Sequence, residues 1–426
     1  MTSTLDSLPV SSRWHDVRTP RRATKLPQTA SLLLLASIVV SFLAASAAPT
    51  PLYAIYQSEW DFSPITTTVV FGVYAIAVLV ALLTFGRLSD HVGRRPVLLV
   101  AIVLQAASML LFTDAHGVTA LVVARVVQGL STGAAVGAVG AAMLDLDRNR
   151  GTILNSVAPP IGTATGALLS GVLVQYLPAP TTLVYAVLLG VLALQAVGVL
   201  LIGETVTRKQ GALRSLVPEV ALPRTLRRAV ATAVPVLVAT WSLAGFYAAL
   251  GPALVADVLG HSSFVLGGVA LFTLAGVGAV TVMLTRELEP SRVMGLGITA
   301  LVSGVLITLL SINERNVVGF FAGTMVAGVG FGAGFQGSIR TVVPLAQPHE
   351  RAGVLSILYS VSYVAMGVPA VVAGFLVVHG GGLVPTALEY GGTTMVLALA
   401  ASAGLLSSRE RASAKAEPCV GCPDAA

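Results

Sequence analysis

The amino-acid sequence predicts an all-α membrane protein, with twelve transmembrane helices arranged in two pseudo-symmetric six-helix bundles. Three observations support this fold class: the apolar composition, a series of hydrophobic runs of spanning length, and a repeat between the two halves of the chain. Hydrophobic residues make up 55% of the 426 residues and charged residues only 10%, whereas a soluble domain carries about 25% charged residues. A water-soluble fold could not bury this much apolar surface, so we expect most of the chain to contact lipid.

Twelve runs are long and apolar enough to cross a bilayer as α-helices, which takes about 20 residues each. The first six cover residues 31–54, 64–85, 96–113, 117–143, 152–176 and 180–203. The second six cover residues 229–256, 263–285, 293–311, 317–339, 353–378 and 384–407. The first run is accompanied by small residues that resemble a signal-peptide cleavage site, but eleven further spans follow it. We therefore interpret it as the first transmembrane helix.

These runs divide the chain into five segments. The segments are an N-terminal tail (1–30), a first six-helix bundle (31–203), a linker (204–228), a second six-helix bundle (229–407) and a C-terminal tail (408–426). Shifting the sequence by 201 positions aligns Gly129 with Gly330, Gly133 with Gly334, Arg150 with Arg351, Leu154 with Leu355 and Gly166 with Gly367. Parallel repeats of this kind occur in secondary transporters, where the substrate binds between the halves.

Basic residues lie almost entirely on one side of the predicted spans. Of the 25 Lys and Arg residues, 23 fall in the two tails, the linker and the loops on that side; Arg315 falls in an opposite loop and Arg125 within a span. Short cytoplasmic loops retain positive charge, so we expect both termini in the cytoplasm of a multi-pass protein of the inner (cell) membrane. Topology also accounts for the net charge of +6, and we expect no nucleic-acid partner.

The loop between spans 2 and 3 reads GRLSDHVGRRPVLL. It resembles the signature of the major facilitator superfamily, G-x-x-x-D-[RK]-x-G-R-[RK], with His91 in place of the usual Arg or Lys. The matching residues, which the resemblance assigns to gating, are Gly86, Asp90, Gly93, Arg94 and Arg95. Glycine permits close helix approach or a tight turn, and the Asp90 carboxylate can accept hydrogen bonds from an arginine or a helix N-terminus. Such a network can latch the cytoplasmic face in one conformation.

Span 4 contains ARVVQGLSTGAAVGAVGAAM, which resembles a second signature of the same superfamily through Arg125, Gln128 and Gly129. Glycines recur every four residues, at Gly129, Gly133 and Gly137, and form a smooth face for helix packing. Arg125 is expected to face a cavity or a partner, because an ionised side chain within the membrane is costly. The alternative is that it extends toward an interface. We assign Arg125 and Gln128 to substrate binding or coupling.

Span 5 carries a third partial resemblance, to the G-x-x-x-G-P-x-x-G-G pattern of antiporters in the superfamily. Its glycines Gly162, Gly166 and Gly171 are predicted to serve helix packing. Ala167 replaces the proline of the pattern and Ser170 replaces one glycine, which weakens the indication of an exporter.

None of the acidic residues is predicted to lie deep in the membrane; Asp257 and Glu389 lie near the outer ends of spans 7 and 12 and are the candidate coupling acids. The first span has no acid, which makes a strongly cationic substrate less expected. Amphipathic side chains within spans are candidates for the cavity: Tyr53, Tyr74, Gln105, Trp241, Tyr247, Gln336, Tyr359 and Tyr363. For each of them, helix packing or an interfacial position is an alternative.

The sequence shows no constellation for enzymatic chemistry. The six histidines are dispersed, and the pair Cys419 and Cys422 lacks companion ligands for a structural zinc site, so we expect no metal and no cofactor. The leading hypothesis is a monomeric, proton-linked exporter of small neutral or anionic amphipathic compounds that works by alternating access. The alternatives are an uptake permease for a small metabolite and, more remotely, a non-transporting sensor or scaffold.

Overall fold

The computed structural model describes residues 26–218, 222–260, 263–347 and 349–416. The predicted N-terminal tail up to residue 25, linker residues 219–221, and the pair Cys419 and Cys422 lie outside the described part. Throughout the described residues the chain forms helices joined by turns and loops, and twelve helical segments are long and apolar enough to cross a membrane. The predicted all-α fold with twelve spans is confirmed.

The described residues form fourteen α-helices, and thirteen of them build these spans. They are α1 (Gln28–Ala47), α2 (Pro49–Trp60), α3 (Pro64–Phe85), α4 (Ser89–Val92), α5 (Arg94–Thr113), α6 (Val118–Leu146), α7 (Arg148–Tyr176), α8 (Pro180–Leu201), α9 (Arg227–Leu259), α10 (Phe264–Leu284), α11 (Pro290–Asn313), α12 (Val317–Val342), α13 (Arg351–His379) and α14 (Leu383–Ala416). Short 3₁₀ turns cover Arg214–Leu216, Arg224–Leu226 and Val343–Leu345. The first span consists of α1 and α2 together, and the four-residue α4 lies in a loop.

Two spans extend well beyond their predicted ends. The first span continues to Trp60 and α14 continues to Ala416, because polar residues such as Gln, Glu, Lys and Arg favour helix as strongly as many apolar ones do. Prolines mark several starts: Pro64, Pro180 and Pro290 each occupy a first helical position, where the missing N–H costs nothing.

Successive spans run in opposite directions, so the start of α1, the linker after α8 and the end of α14 share one face, which we call the terminal face. The other face, where α3 and α10 begin, is the opposite face. One large apolar core lies mainly among α1 to α8 and a second mainly among α9 to α14. A smaller apolar cluster around Leu237, Val354 and Leu358 lies between α9 and α13.

The two groups of helices meet along α3 with α13 and along α7 with α10. Small residues make these contacts close: a methyl group added to Gly268 would meet the carbonyl oxygen of Ala167, and Gly367 lies against Ala75. The α7–α10 contact ends in hydrogen bonds from Ser263 Oγ (2.9 Å) and Val265 N to Gln175 Oε1. These contacts run from the opposite face to the middle of the helices, so the halves are closed against each other at that face.

Candidate functional site

Arg125 lies on α6 with no exposed surface. Its Nε and Nη2 both donate to the hydroxyl oxygen of Tyr53, at 3.0 and 2.5 Å. Its Nη1 donates to the carbonyl oxygen of Ser46 at 2.9 Å and to Oε1 of Gln128 at 2.6 Å. A guanidinium has five N–H donors, and four of these are used here. The side chain is turned into the first bundle, not toward a membrane surface.

The break between α1 and α2 explains why polar side chains gather at this point. Pro49 has no N–H, so the carbonyl of Ala45 has no helical donor four residues on. A free carbonyl is costly in the membrane unless another group satisfies it. Gln128 Nε2 donates to Ala45 O at 3.0 Å, and Ser170 Oγ on α7 donates to Ala48 O at 2.6 Å. Side chains of α6 and α7 therefore hold the broken helix.

Aromatic rings enclose the guanidinium. Its Cζ lies 5.6 Å from the ring centre of Tyr53, 5.2 Å from that of Tyr74 and 5.7 Å from that of Phe112, within the range of cation–π attraction. Phe112 stacks on Tyr185 at 4.9 Å, and the hydroxyls of Tyr185 and Tyr56 lie 3.2 Å apart. Within the described residues, all recorded partners of the charge are thus neutral, and the compensation comes from phenol, amide and carbonyl groups.

The structure separates the remaining sequence-predicted site residues. Asp257 and Glu389 are exposed near the opposite face, and in the described part of the chain neither is bonded to the Arg125 cluster. Gln105 accepts a hydrogen bond from Ser131 within the first bundle. Tyr247 bonds Thr324 at 2.8 Å within the second bundle. These two side chains join helices within one bundle, because each finds its polar partner on a neighbouring helix of that bundle.

Gln336 likewise stays within the second bundle, where it accepts a hydrogen bond from Thr285 at 2.9 Å and donates to Val282 O at 3.2 Å. Trp241, Tyr359 and Tyr363 are half-buried and belong to one aromatic cluster on α9, α12 and α13. Of the eight predicted cavity residues, Tyr53 and Tyr74 thus adjoin the arginine and these three form a separate group.

The predicted packing glycines lie at helix crossings. A methyl group on Gly129 would meet the backbone of Tyr74, and one on Gly133 would meet that of Val78, both on α3; Gly137 faces Gly86 near the end of the same helix. On α7, Gly162 and Gly166 lie against Val40 and Ala44 of α1, and Gly171 lies against Phe264 of α10. The α7 stripe therefore contacts both halves of the molecule.

The loop between α3 and α5 forms a charged network at the terminal face. Arg94 pairs with Asp90 at 2.5 Å and with Asp145 of α6 at 3.1 Å. The carboxylate of Glu204, at the start of the linker, accepts hydrogen bonds from the backbone N–H groups of Arg94 (2.8 Å) and Arg95 (3.1 Å). It therefore caps the N-terminus of α5, where negative charge is favourable.

Gly93 has a φ of +102°, and a methyl group there would collide with the Glu204 carboxylate. The sequence motif thus identified one side of the network only. Asp145 and Glu204 were not predicted, and their sole signal is that each acid stands at the end of a span on the basic side. The partners of Asp90 and Arg94 described here belong to the first bundle and the linker.

Comparison with known proteins gives the same architecture. Residues 33–288 match the model of the Major Facilitator Superfamily. A stretch of 110 residues is 34% identical to multidrug resistance protein D of Escherichia coli (strain K12), spanning 24% of this chain and 27% of that protein. Another of 135 residues is 30% identical to an uncharacterized transporter of Rickettsia bellii (strain RML369-C), spanning 30% of this chain and 33% of the relative.

The matches therefore span about a third or less of these curated relatives. Among solved structures, the nucleoside transporter NupG superposes with a TM-score of 0.64 at 12% identity, over 88% of this chain and 98% of the other. The human organic anion transporter MFSD10 superposes with a TM-score of 0.62 at 18% identity, over 88% of this chain and 100% of the other. At these identities the structures show a shared fold. Since the family model covers more than half of the sequence, the chain belongs to the Major Facilitator Superfamily of membrane transporters.

Proposed function

We propose that this transporter is a proton-linked exporter of small neutral or anionic amphipathic compounds, with the terminal face in the cytoplasm of the cell membrane. The observation that carries the proposal is the contact between the halves, which is close from the opposite face to mid-membrane. Alternating access requires such a contact to open and close around a central site. The small residues on α7, α10, α3 and α13 suit it, since smooth helix faces can separate and re-form.

Charge supports the substrate class. The guanidinium of Arg125 has neutral partners only and retains one unused N–H, so an added cation would be repelled and an anion attracted. The acid of the first span, Glu59, is exposed near the end of α2 at the opposite face, so no acid lies deep in that span to receive a cation. A substrate carboxylate or a neutral acceptor suits this environment better.

The predicted topology and a related protein support export as the direction of transport. The positive charges gather at the terminal face, as they do in the cytoplasmic loops of inner-membrane proteins. A relative is named for multidrug resistance, which favours export over uptake. The titrating group in this proposal is an exposed acid, Asp257 or Glu389, or the substrate itself, because no carboxylate in the described part of the chain adjoins Arg125.

Alternating access is tested with a matched glycine pair. Gly268 faces the other half, whereas a side chain at Gly190 would meet nothing within 4 Å. Gly268→Leu should insert normally and lose transport, because the halves can no longer close. Gly190→Leu should transport like the wild type. Equal transport by both variants would contradict a moving interface.

Direction and substrate are tested in an exporter-deficient strain by a screen for resistance and metabolite retention. For each compound that the screen identifies, accumulation is then measured in inside-out vesicles with an imposed pH gradient. Accumulation that depends on the gradient supports proton-linked export, and Asp257→Asn and Glu389→Gln show which acid shifts its pH profile. Uptake by intact cells would favour the permease alternative instead.

A further inference from the structure

We propose that Trp241, Phe335 and Tyr363 form a subsite for a planar aromatic group that carries a hydrogen-bond acceptor. The proposal rests on the transport function above and specifies which compounds the central site takes. It assigns the indole N–H of Trp241 to a substrate oxygen or nitrogen, and the neighbouring rings to the substrate's aromatic plane.

The three side chains come from three helices of the second bundle. The ring centre of Trp241 lies 5.3 Å from that of Phe335 at an interplanar angle of 73°, and 5.4 Å from that of Tyr363 at 49°. Phe331 lies 6.3 Å away, also edge-on. Edge-on and tilted rings leave their faces available for a further ring to stack.

The indole nitrogen is the unusual feature of the cluster. Nε1 of Trp241 is buried and has no hydrogen-bond partner among the residues that the structure describes. Buried tryptophans usually find an acceptor, and an unpaired donor is costly where no water can reach it. A bound acceptor would satisfy this donor, so the cluster is incomplete without one.

The position of the cluster matches that of a substrate between the halves. Gly367 of α13 contacts Ala75 of α3, in the part of the interface that is closed toward the opposite face. Tyr363 lies on the same helix, one turn closer to the terminal face. The aromatic cluster therefore lies one helical turn from the contact between the halves.

The internal repeat shows that the fold does not need these rings. Under the shift of 201 positions, Trp241 and Tyr363 correspond to Val40 and Gly162. In the first bundle α1 and α7 touch at that level, because a methyl group on Gly162 would meet Val40. One helical turn away, the corresponding helices lie close together in both bundles. A methyl group on Gly166 would meet the backbone of Ala44, and one on Gly245 would meet the backbone of Met366.

Large rings thus stand in the second bundle where the first bundle has smaller residues. Phe335 likewise corresponds to the small Ala134. The first half therefore has no ring at the positions that correspond to the cluster. No acid belongs to the cluster, in agreement with a neutral or anionic substrate.

The test uses the full-length protein in nanodiscs and three compounds of similar size, measured by equilibrium dialysis. Coumarin has the aromatic plane and a carbonyl acceptor, naphthalene has the plane only, and octahydrocoumarin has the carbonyl without the aromatic plane. Coumarin should bind about tenfold more tightly than naphthalene, the usual effect of one satisfied buried donor. Octahydrocoumarin should bind more weakly than coumarin.

Trp241→Phe removes the N–H and keeps a ring, so the preference for coumarin over naphthalene should disappear. The matched control is Trp60→Phe, because Trp60 also stacks on a ring, that of Tyr56 at 4.8 Å, but at the far end of α2. It should keep the preference. Should this variant insert poorly, Tyr363→Leu is used, which should weaken coumarin and naphthalene alike.

The proposal is overturned if coumarin does not bind, if octahydrocoumarin binds equally well, or if the preference survives Trp241→Phe. These results leave the transport function standing, since the strain screen and the Gly268 variant test it independently. Conversely, normal transport by Gly268→Leu would remove alternating access without affecting the binding data.

Discussion

Replacing Arg125 with lysine separates the geometry of the buried charge from the charge itself. The guanidinium reaches three groups from three nitrogens: the hydroxyl of Tyr53, the carbonyl of Ser46 and the amide oxygen of Gln128. Lysine keeps the positive charge, but its donors share one nitrogen on a flexible stem. It cannot reproduce the paired donation from Nε and Nη2 to Tyr53.

The size of the effect follows from the acceptors left behind. Losing the Tyr53 contact and one of the other two leaves at least one buried polar group unpaired, which costs about 1–3 kcal/mol. Since about 1.4 kcal/mol corresponds to a factor of ten, transport by Arg125→Lys should fall by a factor of about 5 to 150. Transport by Arg125→Ala should fall further, because all three groups lose their donor.

The assay measures initial transport rate in proteoliposomes against the amount of correctly folded protein, taken from size-exclusion profile and melting temperature. Arg315→Ala is the control, because Arg315 is an exposed arginine in a loop at the opposite face; its rate should be unchanged. Wild-type transport by correctly inserted Arg125→Ala would refute the functional reasoning and leave this arginine a packing residue. A lower melting temperature with an unchanged rate per folded molecule would lead to the same conclusion.

Three further predictions concern the terminal face. A cysteine reporter in the linker 204–228 or after Arg411 should resist impermeant reagents in intact cells, and labelling of either position would refute the proposed orientation. Asp90→Asn should lower transport at normal abundance, because it removes the charge that pairs with Arg94; unchanged flux would argue against a latch. Gly93→Ala should destabilise the protein by about 1–3 kcal/mol, the usual cost of an unfavourable backbone conformation, since φ is +102° and Glu204 occupies the space; an unchanged melting temperature would contradict this.

The lipid environment of the helices, the number of spans and the family motifs could be predicted from the sequence. Hydropathy over about 20 residues decides whether a helix can cross a bilayer, and this is a local property. The loop motif also indicated its own residues, since Asp90 and Arg94 are four apart and pair within one short segment. The same local reasoning placed span ends to within a few residues, except where good helix formers carried the first span on to Trp60 and α14 on to Ala416.

The partners of each buried polar group were decided by the tertiary structure. Arg125 meets Tyr53 and Ser46 across 72 and 79 residues of sequence, and the reason lies in a proline break on another helix that frees carbonyl groups. Glu204 reaches α5 across 110 residues, and Trp241 meets Tyr363 only because α9 and α13 pack together. In an almost uniformly apolar sequence, hydropathy specifies that helices form but not which faces touch. Those contacts depend on side-chain volume and on the pairing of buried polar groups, which exist only once the helices are packed.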